Sequence, residues 1–355
     1  VQLGILGLPK SGKTTLFNTL TASRQATDKF AASAQTNIGT ATVRDVRLEQ
    51  LRDLFNPKRY VPATVQYVDI PGIKRGESAE SLDLAKLKTV DALVHVVRAF
   101  EDPEILHAEG SLDPARDVAM LDLELILADH DLVERRLERL DKAMKRGLNP
   151  EEQREKALLG DVILPALEAE TPLREVALDP DDERRLRGFQ LLSAKPMLIV
   201  VNVGEDRAGA SVADLGLTLR PAVSAVVVSA PIEQEIGALA PEEQKEFLAD
   251  LGLSEPSLDR VNLASYDLLG LIAFFTVGED EVRAWTIRRG TKAREAAGAI
   301  HSDIERGFIR AEIVPWDDLV RLKTMAACSK AGLLRLEGKE YEVKDGDVAH
   351  FRFNV

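Results

Sequence analysis

Apolar residues fall along this chain in two alternating rhythms, short unbroken runs and helical stripes. Residues 3–6 form a run of strand length, and Leu16, Phe17 and Leu20 behind it recur at helical spacing. Residues 61–70, 92–97, 197–201 and 225–228 read as further buried strands. Strands alternating with helices predict an α/β domain on a mostly parallel sheet, with ligands at the strands' carboxyl ends. Between the runs at 92–97 and 197–201 the rhythm changes. Leu123, Ile126, His130, Val133, Leu137, Leu140 and Met144 follow alternating steps of three and four. Gly147 to Pro150 break that helix, and a second is expected from Glu151, with Pro165 near its end. The pattern predicts an inserted antiparallel helical hairpin, with His130 a packed or edge histidine rather than a ligand.

From Gly270 the pattern turns β-rich. Residues 282–287 alternate, Arg288, Arg289 and Gly290 make a turn, and Thr291 is expected to cap a helix running to about Arg306. Residues 309–314 and 347–355 read as strands again, which suggests a ubiquitin-like β-grasp module. The expected division is a nucleotide domain over 1–112 and 196–270, a helical insertion over 113–195, and the β-grasp domain over 271–355.

The first apolar run ends in candidate chemistry. Gly7, Gly12, Lys13 and Thr14 fill the fixed places of the G-x-x-x-x-G-K-[ST] phosphate loop, between a strand and a helix as that loop requires. Glycines let the backbone curl so that its N–H groups face anionic oxygens at the positive end of the next helix. Residues 7–15, with Pro9, Lys10, Ser11 and Thr15 among them, therefore predict a nucleotide site. Lys13 would neutralise β/γ-phosphate charge, and Thr14 would offer its hydroxyl to Mg²⁺. The run at 61–70 leads into Asp69, Ile70, Pro71 and Gly72, a D-x-x-G in which Asp69 would serve the metal and Gly72 would sense the γ-phosphate. Residues 27–44, polar and rich in small side chains, suit a loop over the phosphates.

Composition narrows the class. The net charge of −13 argues against wholesale binding to nucleic acid. From Leu271 onward 14 basic residues balance 14 acidic ones, so the first 270 residues, with 32 basic and 45 acidic, carry the whole deficit. A basic face of Arg283, Arg288, Arg289, Lys292 and Arg294 would suit RNA, or would be a solvated surface. Cys328 is the single cysteine, and no run approaches the ~18 apolar residues of a membrane span, so a cytoplasmic chain is expected.

Base choice can be read at the other strand ends. GTPases of this architecture recognise guanine with N-K-x-D, and here the equivalent position carries Asn202, Val203, Gly204 and Glu205. Adenine lacks the N1–H and 2-amino group that the aspartate would accept from, so ATP is favoured over GTP. Asn202 would bond the base, Val203 and Phe100 would sandwich it unless Phe100 is a core aromatic, and Ser229 and Ala230 lie at the next strand end. Ile73 stands where small GTPases place a water-orienting glutamine, so hydrolysis should be slow or use another group. His107 is one candidate, with an ordinary surface histidine as the alternative.

Taken together, the chain resembles the YchF or Obg-like ATPase family nearly end to end. The residues that carry the resemblance are the phosphate loop at 7–14, the strand from Val61, Pro62, Ala63 and Thr64 to Ile70, and Glu124 to Asp129 in the helical insertion. The N-x-x-E of Asn202 to Glu205 and the runs at 283–287, 307–312 and 346–355 complete it. The resemblance implies a P-loop ATPase with a helical arm and a C-terminal TGS domain that binds the ribosome, at the large subunit or the 70S particle, and RNA through arm and TGS domain, as a monomer. It implies that His107 replaces the missing glutamine and that Ser33 is the switch hydroxyl facing Mg²⁺. The chain departs from the family where Lys10 and Ser11 replace an Asn-Val pair and where residues 77–84 lack a glycine-rich stretch. The Lys10 ammonium is expected to stand in for a monovalent cation, leaving turnover indifferent to K⁺ or Na⁺. A GTPase of the same fold, or a ribosome- or RNA-binding scaffold with negligible turnover, are the alternatives.

Overall fold

A computed structural model of the chain describes residues 1–21, 37–71, 84–145, 147–220 and 222–354. These form two compact units, Val1–Gly39 with Gln66–Val261, and Thr40–Val65 with Asn262–Val355. The strands among them are β1 Gln2–Leu6, β2 Asn37–Thr42, β3 Arg59–Val61, β4 Thr64–Asp69, β5 Ala92–Ala99, β6 Met197–Val203, β7 Val223–Val228, β8 Leu271–Thr276, β9 Glu281–Arg288, β10 Phe308–Pro315, β11 Arg335–Glu337 and β12 Asp347–Phe353.

The sheet of the first unit runs β2-β4-β1-β5-β6-β7. β1 is parallel to β4 and β5, β5 to β6, and β6 to β7. Every residue of β5 and β6 is buried, as expected for parallel strands covered on both faces. The run at 61–70 does not form one strand. Pro62 cannot donate to a ladder, and beyond it the chain changes sheets. Residues 59–61 pair with β9, while β4 pairs with β1.

The predicted hairpin is present. Its outgoing helix, Pro114–Met144, starts on an Asp113 side chain that accepts from the Arg116 N–H, with Pro114 in the first turn. Ile126, Val133 and Leu140, seven residues apart, are buried against Leu158, Leu159, Ile163 and Leu167 of the return. That return begins at Pro150–Leu158 on a capping box of Asn149 and Glu152, passes a π-helical turn at Leu159–Ile163, and ends at Leu164–Glu168. His130 is partly exposed at the edge, its Nδ1 3.5 Å from Glu134.

Two polar clamps close the hairpin's root. The buried Asp129 carboxylate accepts from the Leu192 N–H (2.8 Å), the Ser193 N–H (2.7 Å) and the Ser193 hydroxyl (2.7 Å). Lys195 Nζ donates to the carbonyls of Lys88 and Val90, capping the helix Leu84–Thr89.

The second unit has a sheet in the order β11-β10-β12-β8-β9-β3, with β8 and β9 an antiparallel pair and β12 parallel to β8. Ala293, Ala296 and Ala297 of the helix Ala293–Ile300 pack flush on its core face, giving the expected β-grasp. Two details differ from the sequence reading. Thr291 does not cap this helix, because its hydroxyl donates to the Arg288 carbonyl and Lys292 takes the cap position. The helix also stops at His301, whose extended backbone starts a separate turn, Ser302–Arg306. On the basic face, Arg283 stacks 4.1 Å from the Trp285 ring centroid and Lys292 pairs with Glu340.

His95 lies fully buried on β5, with no partner for either ring nitrogen among the described residues. Burial above all, then the charges of Lys13 and Arg174, pull its pKa down from 6.5 to about 3. The unfolded chain binds this proton near pH 6.5 and the folded chain does not. Stability is therefore lost as pH falls from 6.5 towards 3, at up to about 1.4 kcal/mol per pH unit. His95→Leu, of similar volume, should gain about 2 kcal/mol over the parent between pH 7 and pH 5 in denaturant melts. Parallel pH profiles for the two proteins would contradict this.

Candidate functional site

β1 delivers the chain to a loop whose shape is imposed by close approach. Gly7 has φ 148°, and a Cβ there would lie 2.3 Å from the Val96 carbonyl oxygen. Gly12 has φ 91°, and a Cβ there would lie 2.2 Å from Asn202 Nδ2. Neither position tolerates a side chain. Lys10 is exposed and also left-handed, at φ 64°, a conformation that costs a lysine about 1–2 kcal/mol. The backbone then enters the helix Lys13–Thr21, whose first N–H groups are the anion-binding end.

Lys13 is buried, and its Nζ donates to the Leu8 carbonyl at 2.7 Å. Burial pulls its pKa down to about 8 against the opposing pull of Asp69. The Thr14 hydroxyl donates to Asp69 Oδ2 at 3.1 Å. Burial raises the Asp69 pKa, opposed by that hydrogen bond and by Lys13. Two hard oxygen donors in contact, one a buried carboxylate with little compensation, fit a Mg²⁺ ion.

Asn202, at the end of β6, spans two segments. Its Nδ2 donates to the Ser11 carbonyl (3.1 Å), and its Oδ1 accepts from the Ala230 N–H (3.2 Å) at the start of the helix Ala230–Ala238. The carboxamide expected to read the base is thus first a strut that fixes the phosphate loop, leaving one N–H for a ligand. The hydroxyls of Ser11 and Ser229 are buried without partners among the described residues.

The structure corrects the base sandwich. Val203 is 1 % exposed, packed with Val97, Ile199, Val201 and Val227. Successive residues of a strand face opposite ways, so Asn202 facing the loop sends Val203 into the core behind the sheet. Phe100 is half-buried, with the Arg98 guanidinium 4.6 Å from its ring centroid. Arg98 also donates to the carbonyls of Phe100 and Ile105, fixing the loop that follows β5. Glu205 lies exposed in a short turn, Pro9 is partly exposed on the loop, and Thr15 is partly exposed in the first turn of the helix.

His107 is not brought to the phosphate loop. Its Nδ1 accepts from the Glu109 N–H (3.1 Å), and its Nε2 lies 3.0 Å from Asp117 Oδ2. Ser33, Gly72 and Ile73 lie outside the described residues. Sequence reasoning missed Arg98 and Asp117. The one available signal is an arginine at the end of an otherwise mostly apolar run, 92–97.

Two family models match the chain, one described as 50S ribosome-binding GTPase over residues 2–128 and the YchF-GTPase C-terminal model over residues 271–354. A protein named ribosome-binding ATPase YchF from Bacillus subtilis is 44% identical over 99% of each chain. Its namesake from Haemophilus ducreyi is 44% identical over 100% of this chain and 99% of its own. Among solved structures, the Schizosaccharomyces pombe YchF GTPase is similar at 32% identity and a TM-score of 0.84, covering 99% of this chain and 97% of its own.

The strut and the core valine should separate on mutation. Asn202→Ala should weaken nucleotide binding by roughly tenfold or more, since it frees the Ser11 carbonyl and the Ala230 N–H. Val203→Ala should cost about 1–2 kcal/mol of stability and leave ATP/GTP preference unchanged. Calorimetry and thermal melts on both variants check this, and a change of base preference in Val203→Ala would restore the sandwich.

Proposed function

This chain belongs to the YchF family, and on that premise we propose that it is an ATP-driven switch that engages the ribosome and turns over slowly. It is a nucleotide hydrolase of the P-loop class, and the bond from Asn202 to Ser11 carries the reading, because it ties a base-side strand end to the phosphate loop. The polyphosphate would lie on the N–H groups of residues 10–14, with Lys13 turning from the Leu8 carbonyl to its anionic oxygens. Thr14 and Asp69 would hold Mg²⁺, joined by Ser33, and Gly72 would sense the γ-phosphate. When bound, the metal neutralises charge on the β/γ-oxygens.

Adenine is the preferred base. An exposed Glu205 replaces the guanine-reading aspartate and Val203 points into the core, so neither residue supplies paired acceptors to guanine. Asn202, Phe100, and the segment at Ser229 and Ala230 would line the base pocket. His107 is the group proposed to attend the attacking water, since Ile73 has no hydrogen-bonding side chain. The arm over 113–195 and the TGS domain over 271–355 are the surfaces proposed to meet the large subunit or 70S particle and its RNA. The protein would act as a cytoplasmic monomer.

GTPase chemistry on the same site, or a scaffold that binds nucleotide without turnover, are the competing readings. Calorimetry with ATP and GTP in Mg²⁺ should show ATP binding at least about tenfold tighter, a difference of ~1.4 kcal/mol. Equal or tighter GTP binding would refute the base assignment. Lys13→Ala should lower phosphate release about a hundredfold or more. Release at the parent's rate, with and without ribosomes, would favour the scaffold.

A further inference from the structure

The loop after β5 carries a histidine whose ring is fully engaged. The Glu109 N–H points at His107 Nδ1, so that nitrogen holds the lone pair and the ring proton sits on Nε2, facing Asp117. Both side chains are almost wholly buried, His107 at 6 % exposure and Asp117 at 2 %. A histidine that activates or orients water needs one nitrogen open towards it. Here neither is.

Asp117 does not depend on the histidine. Its Oδ1 accepts from Arg116 Nε (3.1 Å) and Nη2 (2.8 Å), and Arg116 is itself fixed by the Ser111 hydroxyl (2.9 Å) and carbonyl (2.7 Å). If His107 leaves, the buried carboxylate keeps its guanidinium, so the histidine contact is the cheaper one to break. Asp117 stands in the first turn of the helix Pro114–Met144. The partner of the histidine is therefore part of the helical arm.

We propose that Asp117 is a positioning residue that holds His107 in a rest position and so limits basal turnover. The inference rests on His107 being the group that serves the attacking water. In an orienting dyad the carboxylate takes one ring nitrogen and leaves the other to the substrate. Here the Glu109 N–H closes the second nitrogen, which makes this a parked histidine. Asp117→Asn undoes the arrangement. An amide N–H facing Nε2–H sets donor against donor, and turning the amide over moves the same clash to Arg116.

The test is steady-state ATP hydrolysis without ribosomes by the full chain and by Asp117→Asn, His107→Ala and the double variant. Asp117→Asn should raise kcat by about tenfold with KM within about twofold, as expected when a mostly parked group is freed. The double variant should fall to the rate of His107→Ala. If Asp117→Asn is unchanged, or slows to the His107→Ala rate with KM kept, Asp117 does not park the histidine and the proposal is overturned. If His107→Ala hydrolyses like the parent, the catalytic reading of His107 fails first and takes this proposal with it. Should Asp117→Asn not melt cooperatively, ¹⁵N–¹H correlation of the His107 ring in the parent decides. Without nucleotide it should show the neutral Nε2–H form, and a proton on Nδ1 would overturn the proposal.

Discussion

One carboxamide holds the nucleotide site in shape. Asn202 grips the Ser11 carbonyl with its nitrogen and the Ala230 N–H with its oxygen, and it approaches so closely that residue 12 must be glycine. Gly7 meets the same demand against the Val96 carbonyl. The loop is thus pinned at both contacts before any ligand arrives. Less reorganisation is then left for the moment of binding.

Charge is placed around this loop at some cost to stability. Lys13, Asp69 and His95 are all buried, and burial dominates the pKa shift of each. An ammonium that is easily discharged and a carboxylate that is reluctant to ionise are poorly solvated groups. Phosphate and a divalent cation would serve them better than each other's partial compensation. The same economy of buried polar contacts recurs at the arm. Asp129 gathers three donors from Leu192 and Ser193, and Lys195 caps the helix Leu84–Thr89. The base of the arm is thus tied by directional bonds to the segment before β6 and to the helix Leu84–Thr89.

Much of this was legible in the sequence where one local rule decides the outcome. The phosphate loop, the parallel strands and the heptad seam through Ile126, Val133 and Leu140 all follow from spacing alone. Errors arose where a partner distant in sequence decides. Val203 follows Asn202 and so reads as a base contact, yet strand alternation turns it to the core once Asn202 is fixed. The run at 61–70 looked continuous because β3 finds its partner, β9, more than 200 residues away. Residues 40–65 consequently join the C-terminal unit, which composition gave no reason to expect. His107 looked like a lone loop histidine, since its partner, Asp117, shares no motif with it. Thr291 fits a cap by type, but the nearer Arg288 carbonyl takes its hydroxyl.

The central claim is that residues 7–14 hold a triphosphate with Lys13 as the neutralising cation, on a loop fixed by Asn202. A crystal structure of the chain with Mg²⁺ and a non-hydrolysable ATP analogue tests it most directly. The account predicts that Lys13 Nζ exchanges the Leu8 carbonyl for phosphate oxygens, while Asn202 keeps both Ser11 and Ala230. A triphosphate seated elsewhere, or a Lys13 still on Leu8 with nucleotide bound, would contradict it.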